Sequence, residues 1–318
     1  MVEPLRRVVL DTDLAMGAPG SDIDDGFALA LAVAAPSLEL ELVTTTHGNT
    51  DVVTATRLAR ELLSLLGRPD VPVVRGASGP LDPRNRRDHR DPAPPPDAGS
   101  TGHAASELVS RALAAPGELT IVAIGPLTNV ALALLLEPRV AAAVREIVVM
   151  GGVYLEQTNV AWMPGEFNFW SDPDAAEVVL RSGAPLRLVG LDVTRRVRLS
   201  RADASRLAAE EGAFARLAGE ATDAWITFQE QAKPGEELDH GSCALHDPLA
   251  VAVVDHPGLV TWRAAHVAVE TAGRVTRGVA VADLLRWQDA PEPNCRIAVE
   301  VDADAFRELF LQRVAGLP

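Results

Sequence analysis

The chain has 318 residues, 47% of them hydrophobic, enough to bury one large α/β core. Asp and Glu outnumber Lys and Arg by 44 to 29, and the resulting net charge of −15 repels a nucleic-acid polymer or an anionic membrane surface. The opening MVEPLRRVVLDTD lacks a long apolar run, and Phe27 to Pro36, the longest apolar stretch, is too short to span a bilayer. The expectation is a soluble, unprocessed, cytoplasmic protein. Cys243 and Cys295 give neither a disulfide framework nor a CxxC metal spacing, and both are expected in the core.

In chain order, Arg7 to Asp11, Leu40 to Thr45, Leu119 to Gly125, Glu146 to Met150 and Leu186 to Val193 are runs of Val, Ile and Leu of the kind that form buried strands. Helical segments lie between them. Asp25 to Ala35 is apolar on every side, while Val52, Val53, Leu58, Leu62, Leu63 and Leu66 recur at helical spacing up to Gly67. Asp172, Pro173 and Asp174 carry the acid and proline signals of a further helix start. This alternation predicts an α/β fold: an open, mainly parallel central sheet with helices on both faces, in a single domain over 1–318. Pro80 to Gly102 breaks the rhythm with six prolines, four arginines and no apolar period, and is expected to be a long surface loop or lid.

The densest chemistry follows the first strand. Asp11, Asp13, Asp22, Asp24 and Asp25 converge on one strand end, where ligands bind in open α/β sheets. So many carboxylates stay ionised together only if a cation offsets their repulsion, and hard oxygen ligands suit calcium or magnesium. The plain alternative is that Asp24 and Asp25 cap the helix. Three later motifs are weaker alone: Leu245-His246-Asp247-Pro248 at a helix start, Gly125-Pro126-Leu127-Thr128-Asn129 at a strand-to-helix turn, and Gly165-Glu166-Phe167-Asn168, whose polar pair would share one side of an extended segment.

In this order the motifs resemble the inosine-uridine preferring nucleoside hydrolase family. The likeness runs through VVLDTD, DIDDGFALALA, TTTHGNTDVVTATRLARELL, AIGPLTNVALAL, VVMGGVY, EFNFWSDPDAA, ALHDPLAVA and TRGVAVAD to PNCRIAVEVDADAFRELFLQRV. It implies a hydrolase that cleaves the N-glycosidic bond of ribonucleosides to ribose and free base, serving purine and pyrimidine salvage. The resemblance makes Asp13 both a calcium ligand and the base for water. It makes Asp25, Asp247 and the Ile124 carbonyl further calcium ligands, assigns Asp24, Asn49, Asn159, Glu166 and Asn168 to the ribose, and gives His246 to the leaving base. A homodimer or homotetramer is the implied assembly, with a small nucleoside as its partner.

The loop between Asp13 and Asp24 is several residues longer than the family's compact DxDPGxDD. The family's His-Gly segment after the third strand gives way to the Pro/Arg-rich loop with His89 and His103. Trp162, Trp225, Phe228 and His240 lie where they could meet a base, though each also suits packing, and His47 beside Asn49 has the same ambiguity. His256 and His266 are expected to be structural. Two other functions fit parts of the pattern: a magnesium-dependent phosphatase, because of the DxD strand end, and a ribose-binding protein without catalysis.

Overall fold

Strict alternation along the first strand sets up a core on both sides of the sheet. In β1 (Arg6–Thr12), Val8 and Leu10 enter one buried layer and Val9 the other. The strands that follow are β2 (Leu38–Thr45), β3 (Val73–Arg75), β4 (Leu119–Ala123) and β5 (Glu146–Met150). A small hairpin, β6 (Asn159–Val160) and β7 (Met163–Pro164), precedes β8 (Leu186–Val189). A second antiparallel pair, β9 (Arg198–Ser200) and β10 (Ser242–Ala244), is followed by β11 (Val260–Val269), β12 (Ala280–Asp283) and β13 (Cys295–Val301). The computed structural model describes residues 5–318 apart from 19, 86–102, 157, 158, 161 and 286.

Nine of these strands form one sheet in the order β12-β11-β13-β8-β5-β4-β1-β2-β3. From β3 to β13 all neighbours run parallel, and only β11 and β12 at the far edge are antiparallel. The chain leaves β1 towards β2 and β3, then crosses back to β4 on β1's other side. That reversal opens a crevice at the carboxyl ends of β1 and β4, the place where open α/β sheets bind ligands.

The helix Asp24–Ala34 is buried on nearly every side, which explains its lack of polar periodicity. Phe27 anchors it edge-on against Phe214 and Phe310, with ring centroids 6.2 and 5.2 Å away. Burial of such a ring is worth roughly 1.5–3 kcal/mol, and each aromatic pair about 0.5–1.5 more. This helix packs along a second apolar helix, His246–Asp255, so residues more than 200 apart in sequence meet at neighbouring helix starts.

The expected strands are present with shifted ends. Leu186 to Val193 stops as a strand at Val189, because Gly190 opens the short helix Leu191–Thr194, and Leu119 to Gly125 ends at Ala123. The helix Val52–Leu65 ends beside Gly67, whose φ of 72° suits glycine, and Asp172 caps Pro173–Leu180 as its sequence suggests. Of the Pro80 to Gly102 segment, Pro83–Asn85 forms a short 3-10 turn and Leu81 N–H donates to Asp172 (2.8 Å). The remainder, 86–102 with His89, lies outside the described residues. Both cysteines are buried thiols. Among the described residues, no helix is long and apolar enough to cross a membrane.

Candidate functional site

The paired helices bring three acids together. Carboxylate oxygens of Asp24, Asp25 and Asp247 lie within 4.8 Å of one another, and all three residues are buried. Asp24 and Asp25 occupy the first turn of one helix and Asp247 the first turn of the other, so two positive helix ends face the cluster. Asp24 Oδ2 also accepts the backbone N–H groups of His246 (3.1 Å) and Asp247 (3.2 Å). Helix ends do not remove the cost of crowding. Burial, then repulsion from Asp22 and Asp25, holds the Asp24 carboxyl well above the usual carboxylate range, and Asp247 is raised by burial and by Asp24, Asp25, Asp13 and Asp22. Burial pushes Asp25 up to about 6 against the opposing bonds from Thr12 and Asn49. Oxygen-only ligands, buried and mutually repelling, are the donor set of a hard divalent cation.

Asp13 enters this cluster from β1's carboxyl end. Its carboxyl is in hydrogen-bond contact with Asp25, which requires a shared proton or a cation between them, and its Oδ2 accepts from Asn49 N–H at 2.6 Å. Asn49 ties the two acids together by donating its side-chain amide to Asp25 Oδ2 (2.9 Å). The approach is so close that a Cβ on Gly48, at φ 153°, would lie 1.9 Å from Asp13 Oδ2. Thr12 donates its hydroxyl to Asp25 Oδ1 and fixes the helix start from beneath.

Asp11 does not join them. As the residue two beyond Val9 it faces the opposite layer, where its Oδ1 accepts from Thr44 (2.5 Å) and Asn129 (2.7 Å). The five acids predicted at one strand end are therefore divided where β1 stops at Thr12: Asp11 keeps its place in the strand while Asp13, just past the end, turns to the cluster, and it is Asp247, from far downstream, that completes it.

The β4 and β5 ends close the other side. Glu166 and Asn168 meet not as neighbours on an extended segment but in a helix start: Glu166 caps Phe167–Ser171 and accepts Asn168 N–H (2.7 Å), Phe169 N–H (3.0 Å) and Gly152 N–H (3.0 Å). Burial nevertheless pushes its carboxyl up to about 7. The Asn168 amide donates to the carbonyls of Ile124 (3.0 Å) and Met150 (3.2 Å), placing the Ile124 oxygen in the crevice wall. Asn159 is described by its backbone, which pairs with Pro164.

His246 sits between the acid cluster and a cationic rim. Its Nδ1 shares a hydrogen bond with the buried Thr194 hydroxyl (2.8 Å), and burial together with Arg195, Arg198 and Lys233 lowers its pKa to about 3. Trp225 and Phe228 stack at 5.3 Å on the helix Ala213–Ala232, with Phe228 against the loop at Gly20, whereas Trp162 and His240 are exposed. His47 is buried on the far layer against Thr128 (3.0 Å). His103 caps a helix by accepting Ala105 N–H, His256 pairs with Asp255, and His266 bonds the Glu292 carbonyl, so none of these three enters the crevice. Sequence reasoning passed over Thr12, Gly48 and Thr194. The alternation of β1 was enough to place Thr12 on the Asp25 side, but Thr194 follows directly on a run read as strand through Val193, which hid the short helix that carries it.

The whole arrangement has close counterparts. Residues 8–308 match the family model described as inosine-uridine preferring nucleoside hydrolase. The pyrimidine-specific ribonucleoside hydrolase RihA of Salmonella gallinarum is 34% identical over 318 residues, covering 96% of this chain and 97% of that protein. Among solved structures, a plant nucleoside hydrolase, the PpNRh1 enzyme, superposes with a TM-score of 0.86 at 28% identity, covering 98% of this chain and 100% of its own. The purine-preferring ribonucleoside hydrolase from Gardnerella vaginalis gives 0.85 at 31% identity and 98% of each chain. The phosphatase and ribose-binding alternatives give way to an N-glycosidase that hydrolyses ribonucleosides, and the chain belongs to the inosine-uridine preferring nucleoside hydrolase family.

Proposed function

We propose that the hydrolase works with calcium, held by the carboxylates of Asp13, Asp25 and Asp247 and by the Ile124 carbonyl, and that Asp13 takes the proton of the attacking water. The observation that carries this is the buried convergence of Asp24, Asp25 and Asp247 within 4.8 Å, with Asp13 in contact with Asp25. Asp24 fits the ribose better than the metal, because one of its oxygens already accepts two backbone N–H groups. When bound, the cation offsets the carboxylate repulsion and lowers the pKa of a coordinated water.

The chain's own groups supply the rest. Water adds to the anomeric carbon as the C–N bond breaks, so positive charge grows on the sugar while the base leaves with the electron pair. Asn49, Asn159, Asn168 and Asp24 orient the ribose, and the Glu166 carboxylate offsets the developing charge. His246 is neutral near pH 7 with its pKa lowered to about 3 by burial, so it offers the leaving base an N–H hydrogen bond rather than a transferable proton. If its Nδ1 accepts from Thr194, its proton lies on Nε2, free to meet the leaving base.

The similar enzymes differ in the base their descriptions favour, pyrimidine for RihA and purine for the Gardnerella protein, so both classes belong in the substrate panel. Cytoplasmic nucleobase salvage by a homodimer or homotetramer is the setting that fits. Ribose release from inosine, adenosine, uridine and cytidine, measured with and without a chelator alongside metal analysis, tests the proposal. Chelator-insensitive turnover by metal-free protein would overturn it.

A further inference from the structure

At the opposite end of the sheet from the catalytic crevice lies a cavity of about 270 Å³ lined by Arg6, Arg145, Glu146, Arg187 and Arg296. Four guanidinium groups and one carboxylate give it a net charge of about +3, in a chain whose total is −15. Repulsion among such groups needs a reason.

Register explains how they meet. Arg187 of β8 is the direct partner of Arg296 of β13, so two like charges stand side by side on one face of neighbouring strands, an unfavourable pairing without a counter-charge. Arg6 and Glu146 begin β1 and β5 on the same face. Part of the positive charge is used internally. Arg187 is buried, holds Glu146 through two contacts (2.6 and 2.7 Å), donates to the Val253 carbonyl (2.8 Å) and rests 5.2 Å from the centre of the Trp262 ring. Arg6 donates to the Val254 carbonyl. Arg145 and Arg296, both exposed, have no ion pair among the described residues.

We propose that this cavity binds a small phosphate-bearing anion. A planar guanidinium matches two phosphate oxygens at once, and Arg145 and Arg296 have that fork to offer, whereas Arg187, its fork taken by Glu146, contributes a fixed position between them. Against a water's share of roughly 30 Å³, the cavity of about 270 Å³ has room for a phosphate monoester.

Isothermal titration of the purified enzyme with glycerol 3-phosphate, and separately with inorganic phosphate, tests this at low salt, with sodium chloride at equal ionic strength as control. The expected dissociation constant is below ~1 mM, the weak end of specific binding. Arg145→Ser combined with Arg296→Ser should weaken it at least about tenfold, as phosphate contacts of this kind require, while ribonucleoside turnover stays at the wild-type level. Tighter binding of glycerol 3-phosphate than of inorganic phosphate identifies an ester, and the reverse identifies the free ion. Equal affinity in wild type and the double variant, or no heat beyond the chloride control up to ~10 mM, would overturn the proposal.

Discussion

Two buried polar regions flank β1 and solve the same problem in opposite ways. On one side Asp11 is surrounded by neutral donors: Thr44 and Asn129 bond its carboxylate, and Asn129 extends the network to the Thr45 carbonyl (3.0 Å) and Ala77 N–H (2.8 Å). On the other side Asp13, Asp24, Asp25 and Asp247 are packed together, with burial raising the last three and repulsion from neighbouring acids adding to it at Asp24 and Asp247. The first network satisfies Asp11 Oδ1 within the chain, leaves the buried Oδ2 without a hydrogen-bond partner, and ties the β2 and β4 ends together. The second is incomplete without an external cation. Buried charge that the fold leaves unbalanced is where chemistry is done.

Asp13→Asn should separate the two regions most sharply. Removing the base and a metal ligand together is expected to lower kcat by at least about 10²–10⁴, with the circular dichroism spectrum unchanged. A variant that keeps more than a tenth of wild-type turnover would place the base elsewhere. His246→Ala should act more selectively. On inosine the expected loss is about 10²–10³, as for removal of one donor that stabilises developing charge, whereas a ribose carrying nitrophenolate, which leaves without such help, should turn over near the wild-type rate. Equal losses on both substrates would mean that His246 only steadies Asp247.

A smaller effect is expected in stability against pH. Asp25 with its pKa at about 6 and Glu166 at about 7 hold protons in the folded state that the unfolded chain releases near pH 4. For carboxyls raised in this way, the stabilising contribution is complete at low pH and is lost as pH rises through those values, at about 3 kcal/mol per group. Melting temperature in chelator should therefore fall between about pH 4 and 8. Calcium should restore the Asp25, Asp24 and Asp247 share, since a ligand bound only to the folded state stabilises it by mass action. Asp11, raised to about 6 by burial alone, has no route to that cation, so part of the fall should persist. Identical pH profiles with and without calcium would mean that the acid cluster does not bind it.

Much of this division was legible in the sequence, and its limits are physical. The parallel sheet followed from runs of Val, Ile and Leu such as Glu146 to Met150, which match a strand end to end, because buried strands are apolar on both faces. Asp24 and Asp25 were legible because a helix start holds its acids in consecutive positions. Asp247 was reached only through the family resemblance, since no local pattern tells a helix cap from a ligand that meets Asp24 across 223 positions. Asp11 was misplaced for the opposite reason: alternation alone puts it on the same face as Asp13, and nothing local announces that the strand ends at Thr12 and frees Asp13 to turn the other way. The antiparallel edge of β11 and β12 lies beyond the last strand read from the sequence, Leu186 to Val193, and went unread.

The mildest perturbation should come from the quiet side of β1. Asn129→Ala removes both amide bonds and the acceptor for Ala77 N–H, leaving buried polar groups without partners at about 1–3 kcal/mol in total once the site relaxes. Gly76 limits that relaxation, because its backbone lies so close that a Cβ there would come within 2.1 Å of Asn129 Oδ1, and a shortened side chain leaves a gap that this loop must move to fill. The melting temperature should drop by several degrees, at roughly 2–4 °C per kcal/mol for a chain of this size class. Turnover should change little, because Thr12, Asn49 and the acids of the cluster are held from the other face. Differential scanning calorimetry paired with kcat on inosine checks both halves. A large loss of kcat with stability unchanged would mean that the Asp11 network, not the cluster alone, sets the geometry of Asp13, and would erase the distinction between the two regions.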